Sequence, residues 1–105
     1  MTEKSFLRIL DEKSRIRIKI TIEKGAVIGF MIQYELFTKG SWMNIVRYDT
    51  SHDFAHKDIL YPDGTKEKVS LNFNDFGSAL IFAQEDLLRN YQIYRDAFLK
   101  EGKND

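Results

Sequence analysis

The chain has 105 residues, of which 43% are hydrophobic and 30% charged, and this composition predicts one globular domain over residues 1–105. Sixteen acidic residues balance sixteen basic ones, so no overall charge would draw the chain to nucleic acid or to an anionic membrane. Cysteine is absent, which excludes disulfides, thiol nucleophiles and thiolate metal sites.

The hydrophobic residues are spread along the chain rather than gathered in one segment. No apolar run approaches the roughly 18–20 residues of a membrane span. Residues 1–10 carry charges throughout and lack the apolar centre of a signal peptide. We therefore expect a cytoplasmic location and no membrane contact.

Alternating hydrophobic residues predict a series of strands. Residues 3–12 fit either a short helix or a lead-in strand. Residues 14–23 place isoleucine at every second position, which is the clearest strand pattern in the chain. Apolar segments at 26–37 and 42–49 predict two more strands, and a further pair flanks the sequence Pro62-Asp63-Gly64.

Three glycine-containing turns predict how these strands pair. Each fits a three-residue loop that ends in a left-handed glycine, at residues 23–25, 38–40 and 62–64. At the first turn this register places Ile18 opposite Phe30, and a one-residue slip would turn every side chain to the other face. The predicted inner face holds Ile16, Ile18, Ile20, Ile28, Phe30, Ile32, Trp42, Val46, Tyr48, Val69 and Leu71.

After Phe73 the hydrophobic period changes from that of a strand to that of a helix. The apolar positions are Phe76, Leu80, Ala83, Leu87, Tyr91, Tyr94 and Phe98. They predict an amphipathic helix of about 25 residues, with Asn74 or Asp75 as its N-cap. The predicted fold class is α+β: an antiparallel β-meander of about five strands with one long C-terminal helix packed across one face.

Residues 47–58 hold both histidines of the chain and are the one stretch where acid–base or metal chemistry can be assembled locally. A loop at 50–53 would set Arg47 opposite His56 on neighbouring strands. Alternation then places the polar side chains of both strands on the outer face, away from the helix. The candidate catalytic cluster is Arg47, Asp49, His52, His56 and Asp58, with Lys68 in support.

Three interpretations of this cluster remain open. The two histidines could act as general base and acid on a phosphodiester, with a basic side chain stabilising the phosphate charge. A divalent metal could bind His52, His56 and Asp58, or Asp49; no other cofactor is predicted. In the third interpretation the charges are structural, and Asp58 with Lys68 is an ordinary cross-strand ion pair.

The same outer face is predicted to carry an apolar patch beside the polar cluster. Its members are Met31, Met43, Ile45 and Leu60. A contiguous apolar patch on a small domain often marks a partner surface. We therefore expect a homodimer or a small protein partner across this face, and RNA is the alternative partner.

The segment from Ile45 to Asp58 contains the motif RYDxxHxxxHxD and is followed by the Pro62-Asp63-Gly64 turn. Over residues 28–98 the chain resembles an uncharacterised family of small prokaryotic proteins, a resemblance that implies no activity. More distantly, it is similar to the TumE family of toxin–antitoxin components. That similarity implies a protein acting on RNA through Arg47, His52 and His56, as the alternative to a binding module.

Overall fold

A computed structural model describes residues 1–103, with side chains through Glu101, and over this range the chain forms six strands and one helix. The elements are β1 (Thr2–Asp11), β2 (Ser14–Glu23), β3 (Ala26–Thr38), β4 (Ser41–Asp49), β5 (His56–Leu60), β6 (Lys66–Ser70) and α1 (Phe76–Lys103). The strands pair in chain order, each antiparallel to the next. The predicted α+β meander with a long C-terminal helix is confirmed.

The structure has one strand more than the five predicted. The additional strand is β1, in the N-terminal segment, where the sequence was compatible with either a helix or a strand. Residues 2–11 form an edge strand in which Phe6 lies opposite Ile18 and Arg8 lies opposite Ile16. Leu7 and Ile9 lie opposite Arg17 and Arg15, so the apolar residues of this segment do not match the isoleucine stripe of β2. Backbone pairing with β2 holds the segment in the extended form.

The turn between β2 and β3 is shorter than predicted. Lys24 and Gly25 form a two-residue turn, and both have positive φ, at 51° and 79°, as a tight hairpin of this kind requires. An extra residue at Ile28 then shifts the ladder, so Ile18 faces Ile32 rather than Phe30. The total displacement is two residues, and the isoleucines of β2 therefore keep their predicted face.

The turn between β3 and β4 shows the same departure. Lys39 and Gly40 form a two-residue turn, which sets Trp42 opposite Phe37 and Met43 opposite Leu36. The prediction that Trp42 lies on the inner face and Met43 on the outer face is therefore wrong: Met43 faces the helix and Trp42 faces away from it. An irregularity at residue 45 restores the predicted alternation for the rest of β4.

The third turn follows the prediction. At residues 62–64, the Tyr61 N–H donates to the Thr65 carbonyl at 2.9 Å, and Gly64 has a φ of 89°. Asp58 lies opposite Lys68 and His56 opposite Ser70, as the sequence predicts. Proline at the first loop position and a left-handed glycine at the third specify this turn.

The helix begins where the sequence places it. Asp75 is the N-cap: its carboxylate accepts hydrogen bonds from the Ser78 N–H at 2.7 Å and the Ser78 hydroxyl at 3.1 Å. The helix then packs across β3 and β4. Across the described range, no helix has the combination of length and hydrophobicity needed to cross a membrane.

The core lies between the helix and one face of the sheet. Its buried members include Ile16, Ile32, Tyr34, Leu36, Val46, Tyr48, Ala79, Ala83 and Leu87. Burying one aliphatic side chain of this size contributes roughly 1.5–3 kcal/mol. Two predicted core residues, Ile28 and Val69, are instead 41% and 39% exposed. Ile28 is the unpaired residue where the β2–β3 ladder shifts, and Val69 lies on β6, away from the strands on which the helix packs.

Candidate functional site

The candidate site lies on the sheet face opposite the helix, where β4 pairs with β5. Asp49 is directly opposite His56, and Arg47 is directly opposite Asp58. The predicted pairing of Arg47 with His56 is wrong, because the connection spans residues 50–55 rather than 50–53. The displacement is again two residues, so all four side chains project from the same face.

Asp49 and His56 form the centre of this arrangement. His56 Nε2 lies 2.8 Å from Asp49 Oδ1, which also accepts hydrogen bonds from the Ser51 N–H at 3.1 Å and the Ser51 hydroxyl at 3.0 Å. Arg47 Nε lies 2.9 Å from Asp49 Oδ2. Burial alone would raise the pKa of Asp49, but the Ser51 hydrogen bonds and the charges of His56 and Arg47 hold that pKa below its ordinary value.

The connection between β4 and β5 folds over His56 and leaves it only 2% exposed. The imidazole of His52 stacks on that of His56 with 5.9 Å between ring centroids, and the Phe54 ring lies 5.5 Å away. The connection is anchored by Thr50, whose N–H donates to the Phe30 carbonyl at 3.2 Å and whose hydroxyl accepts from the Phe30 N–H at 3.1 Å. The histidine is therefore enclosed on the outer face, not beneath the helix.

Asp58 is the third buried ionisable residue of the site, after Asp49 and His56. It is 7% exposed, and among the described residues its Oδ1 atom is buried without a hydrogen-bond partner. An unpaired buried carboxylate oxygen is costly, so it indicates a missing partner. One ligand atom each from Asp49, His56 and Asp58 lies within 4.8 Å of the other two.

The remaining predicted site residues lie at the margin. His52 is exposed in the connection and stays outside the group of three that could share an ion. Lys68 is exposed on β6, opposite Asp58. The structure thus brings together Arg47, Asp49, His56 and Asp58, which we call the outer-face cluster.

The predicted apolar patch is not assembled on this face. Ile45 is 1% exposed and belongs to the core, and Met43 packs against the core from the helix side. The prediction that these two side chains project outward is therefore wrong, and the two-residue turn at Lys39 is the reason. Met31 and Leu60 are each partly buried.

Sequence reasoning missed a second charged group on the outer face. Glu35 is buried, and its carboxylate binds Arg15 at 2.6 Å and Arg17 at 3.1 Å, with Gln33 as a third donor. The Arg15 guanidinium also lies over the Trp42 ring, 3.9 Å from its centroid. This group could have been predicted from the alternation of β2, because Arg15 and Arg17 both point to the face that Glu35 occupies on the next strand.

A third polar group, also missed, lies between the sheet and the helix. Asp86 of the helix accepts hydrogen bonds from the hydroxyls of Tyr48 and Tyr94, each at 2.6 Å. Lys57 donates to the Tyr94 hydroxyl at 2.6 Å and lies 3.7 Å from Asp86. The sequence pattern could have predicted this group. Lys57 lies between two outward-facing residues of β5 and must therefore face the helix, and Asp86 lies on the side of the helix that carries the apolar stripe.

Comparison with known proteins gives one family match. The sequence model of a family described as Domain of unknown function (DUF7718) matches residues 1–104. No curated protein and no solved structure matches the chain.

Proposed function

The chain belongs to the family described as Domain of unknown function (DUF7718), and from the geometry of the outer-face cluster we propose that it binds a divalent metal ion through Asp49, His56 and Asp58. The observation that carries the proposal is the buried Oδ1 atom of Asp58, which has no hydrogen-bond partner among the described residues. This oxygen belongs to one of three groups whose ligand atoms lie within 4.8 Å of one another.

The donor set indicates which ions would bind. Two carboxylates and one imidazole suit ions that accept both oxygen and nitrogen ligands, chiefly Mn²⁺ and Zn²⁺. Calcium ions prefer six to eight oxygen ligands, which three side chains of this kind do not supply. Three protein ligands also leave coordination positions for water or for a ligand.

The neighbours of the three donors support their use as ligands. His56 Nδ1 lies 3.4 Å from the Phe54 carbonyl oxygen. A histidine ligand typically donates its second ring N–H to such an acceptor, which leaves the other nitrogen free for the metal. Ser51 and Arg47 hold the Asp49 carboxylate in place from the other side.

Metal binding would change the charge balance of the cluster. A proton carried on His56 Nε2 would have to leave, because a metal-bound imidazole must present a free lone pair. The ion would also neutralise Asp58, whose buried Oδ1 atom has no hydrogen-bond partner among the described residues.

Calorimetric titration and thermal unfolding with Mn²⁺, Zn²⁺ and Ca²⁺ test the proposal. At an ion concentration of about 100 times Kd, binding to the folded state alone stabilises it by about 2.7 kcal/mol. In a domain of this size that corresponds to a rise in Tm of roughly 10 °C or more. We expect this rise with Mn²⁺ or Zn²⁺ and a much smaller one with Ca²⁺.

Asp58→Asn is the decisive variant, because it keeps the shape of the side chain and removes its charge. We expect it to abolish the rise in Tm with Mn²⁺ or Zn²⁺. The matched control is Asp63→Asn in the exposed turn before β6, which removes the same charge away from the cluster. A wild-type protein that neither releases heat with these ions nor gains stability would rule the proposal out.

Two functional predictions from the sequence stay predictions. Association with a second copy or a small protein partner is tested by sedimentation of the protein at high micromolar concentration. Action on RNA through Arg47, His52 and His56 is tested by RNA cleavage with the His56→Ala variant. The cytoplasmic location likewise stays a prediction.

A further inference from the structure

A groove open to solvent adjoins the outer-face cluster. Its volume is about 260 Å³, and it runs over β2 and β3 to the start of the connection that covers His56. Asp49 lines this groove and also belongs to the group of three candidate metal donors. The groove is therefore the approach from solvent to the proposed ion.

Two basic side chains face this groove. Arg47 is directly beside Asp49, with its side chain 43% exposed, and Lys19 is exposed on the opposite wall. The registers place Lys19 opposite Met31 and Met31 opposite Asp49. Lys19 is thus two strands from Asp49 on the same face, a separation of about 10 Å between strand backbones. Met31 lies between them, and Gly29, two residues away on β3, adds no side chain to the groove.

The charge of the cluster depends on the metal. With a neutral imidazole, the carboxylates of Asp49, Asp58 and Glu3 and the cations of Arg47 and Lys19 leave one net negative charge, which repels an anion. A divalent ion changes this to one net positive charge. An ion with open coordination positions beside an arginine is a common arrangement for holding the oxygens of a phosphate.

We propose that the metal-loaded groove binds a phosphate group, with Arg47 and Lys19 contacting its oxygens beside the ion. This inference rests on the proposed metal binding and adds the class of ligand. It makes phosphate binding conditional on the metal, because only the ion reverses the sign of the local charge. The phosphate can be free, terminal on a nucleotide, or internal in an RNA strand, since the groove is open along its length.

Linkage between the two ligands gives the test. If phosphate binds beside the ion, phosphate must raise the affinity for Mn²⁺ by the same factor as Mn²⁺ raises the affinity for phosphate. Titration of Mn²⁺ into the protein with and without inorganic phosphate measures this factor, after subtraction of a titration into phosphate alone. We expect Mn²⁺ affinity to rise by about fivefold or more, the lower end of typical coupling.

Variants locate the effect in the groove. Lys19→Gln should reduce the coupling factor severalfold, whereas Lys100→Gln, which removes the same charge from the exposed side of the helix, should leave it at the wild-type value. Repeating the titration with a nucleoside 5′-monophosphate and with a short oligoribonucleotide distinguishes the sources. The phosphate whose coupling is largest identifies the ligand type.

The outcomes separate the two proposals. Mn²⁺ binding that inorganic phosphate, the nucleotide and the oligoribonucleotide all leave unchanged would overturn the phosphate inference and leave the metal site standing. Coupling that Lys19→Gln and Lys100→Gln reduce equally would also overturn it, because the effect would then come from overall charge. Absence of Mn²⁺ and Zn²⁺ binding would overturn both proposals together.

Discussion

Asp86 on the helix accepts a hydrogen bond of 2.6 Å from the hydroxyl of Tyr48 on β4, although 38 positions separate the two residues in sequence. Tyr94 donates to the same carboxylate oxygen, and Asn90 donates to the other at 2.9 Å. Lys57 supplies a positive charge 3.7 Å away. One carboxylate therefore joins the helix to two strands of the sheet.

Asp86→Asn should destabilise the protein by roughly 2–4 kcal/mol, because charge-assisted hydrogen bonds are weakened and a mostly buried lysine loses its counter-charge. Urea unfolding measures the loss. The control is Asp96→Asn on the exposed side of the same helix, where the ion pair with Arg95 is worth less than about 1 kcal/mol. Equal losses in the two variants would mean that Asp86 does not hold the helix on the sheet.

Acid should weaken the wild type more than the Asp86→Asn variant. Burial alone would raise the pKa of Asp86, but hydrogen bonds from Tyr48, Tyr94 and Asn90 and the charge of Lys57 lower it below its ordinary value of 3.8. A carboxyl whose pKa is lower in the folded state adds stability above the unfolded pKa and loses it as the pH falls through the folded pKa. Unfolding free energies measured between about pH 5 and pH 2 should therefore converge for the two proteins.

Alkali should weaken the protein through the same group of side chains. Burial and the Asp86 carboxylate raise the pKa of Tyr48 and Tyr94 well above the ordinary value of 10.0. A raised pKa contributes stability that is complete below the unfolded pKa and declines as the pH rises above it. Stability should therefore fall above about pH 10. In Tyr48→Phe this fall should be smaller, and phenolate absorbance should show that Tyr48 and Tyr94 ionise only as the protein unfolds.

Substitutions in the first hairpin turn should have opposite signs. Gly25 has a φ of 79°, so Gly25→Ala should cost roughly 1–2 kcal/mol by forcing a side chain into the left-handed region. Lys24 has a φ of 51°, where asparagine is better tolerated, so Lys24→Asn should stabilise the protein by about 0.3 kcal/mol. Thermal unfolding distinguishes the two. A three-residue loop without positive φ at Lys24 would give no gain from Lys24→Asn.

The sequence predicted which face most strand residues occupy but not which residues oppose one another. The isoleucines of β2 and the polar residues from Arg47 to Asp58 keep their predicted faces because each error in pairing is an even number of residues. At the first two hairpins, turn length caused the errors, because glycine alone does not reveal that Lys24 and Lys39 also adopt positive φ. Between β4 and β5, the cause was a connection longer than predicted. Extra residues at Ile28 and Ile45 have no sequence signature, since both are ordinary strand formers.

The sequence predicted which residues form the candidate cluster better than it predicted how they are arranged. Local composition drew attention to residues 47–58, and alternation placed Arg47, Asp49, His56 and Asp58 together. The burial of His56 could not be predicted, because it depends on the fold of the connection that covers it. Lys57 and Asp86 were not predicted to be buried, because periodicity records the direction of a side chain but not the polar partners that permit burial.

The extra residue at Ile45 has a consequence for how members of the family can differ in length. Deleting it would join Asn44 to Val46 in a regular ladder, in which Val46 stays opposite Tyr34 and Arg47 stays opposite Gln33. A relative one residue shorter at this point would keep its arginine and aspartate on the same side as here. In an alignment of relatives, a single gap at residue 45 is thus compatible with an intact cluster, whereas a gap at residue 48 would turn one of its members toward the helix.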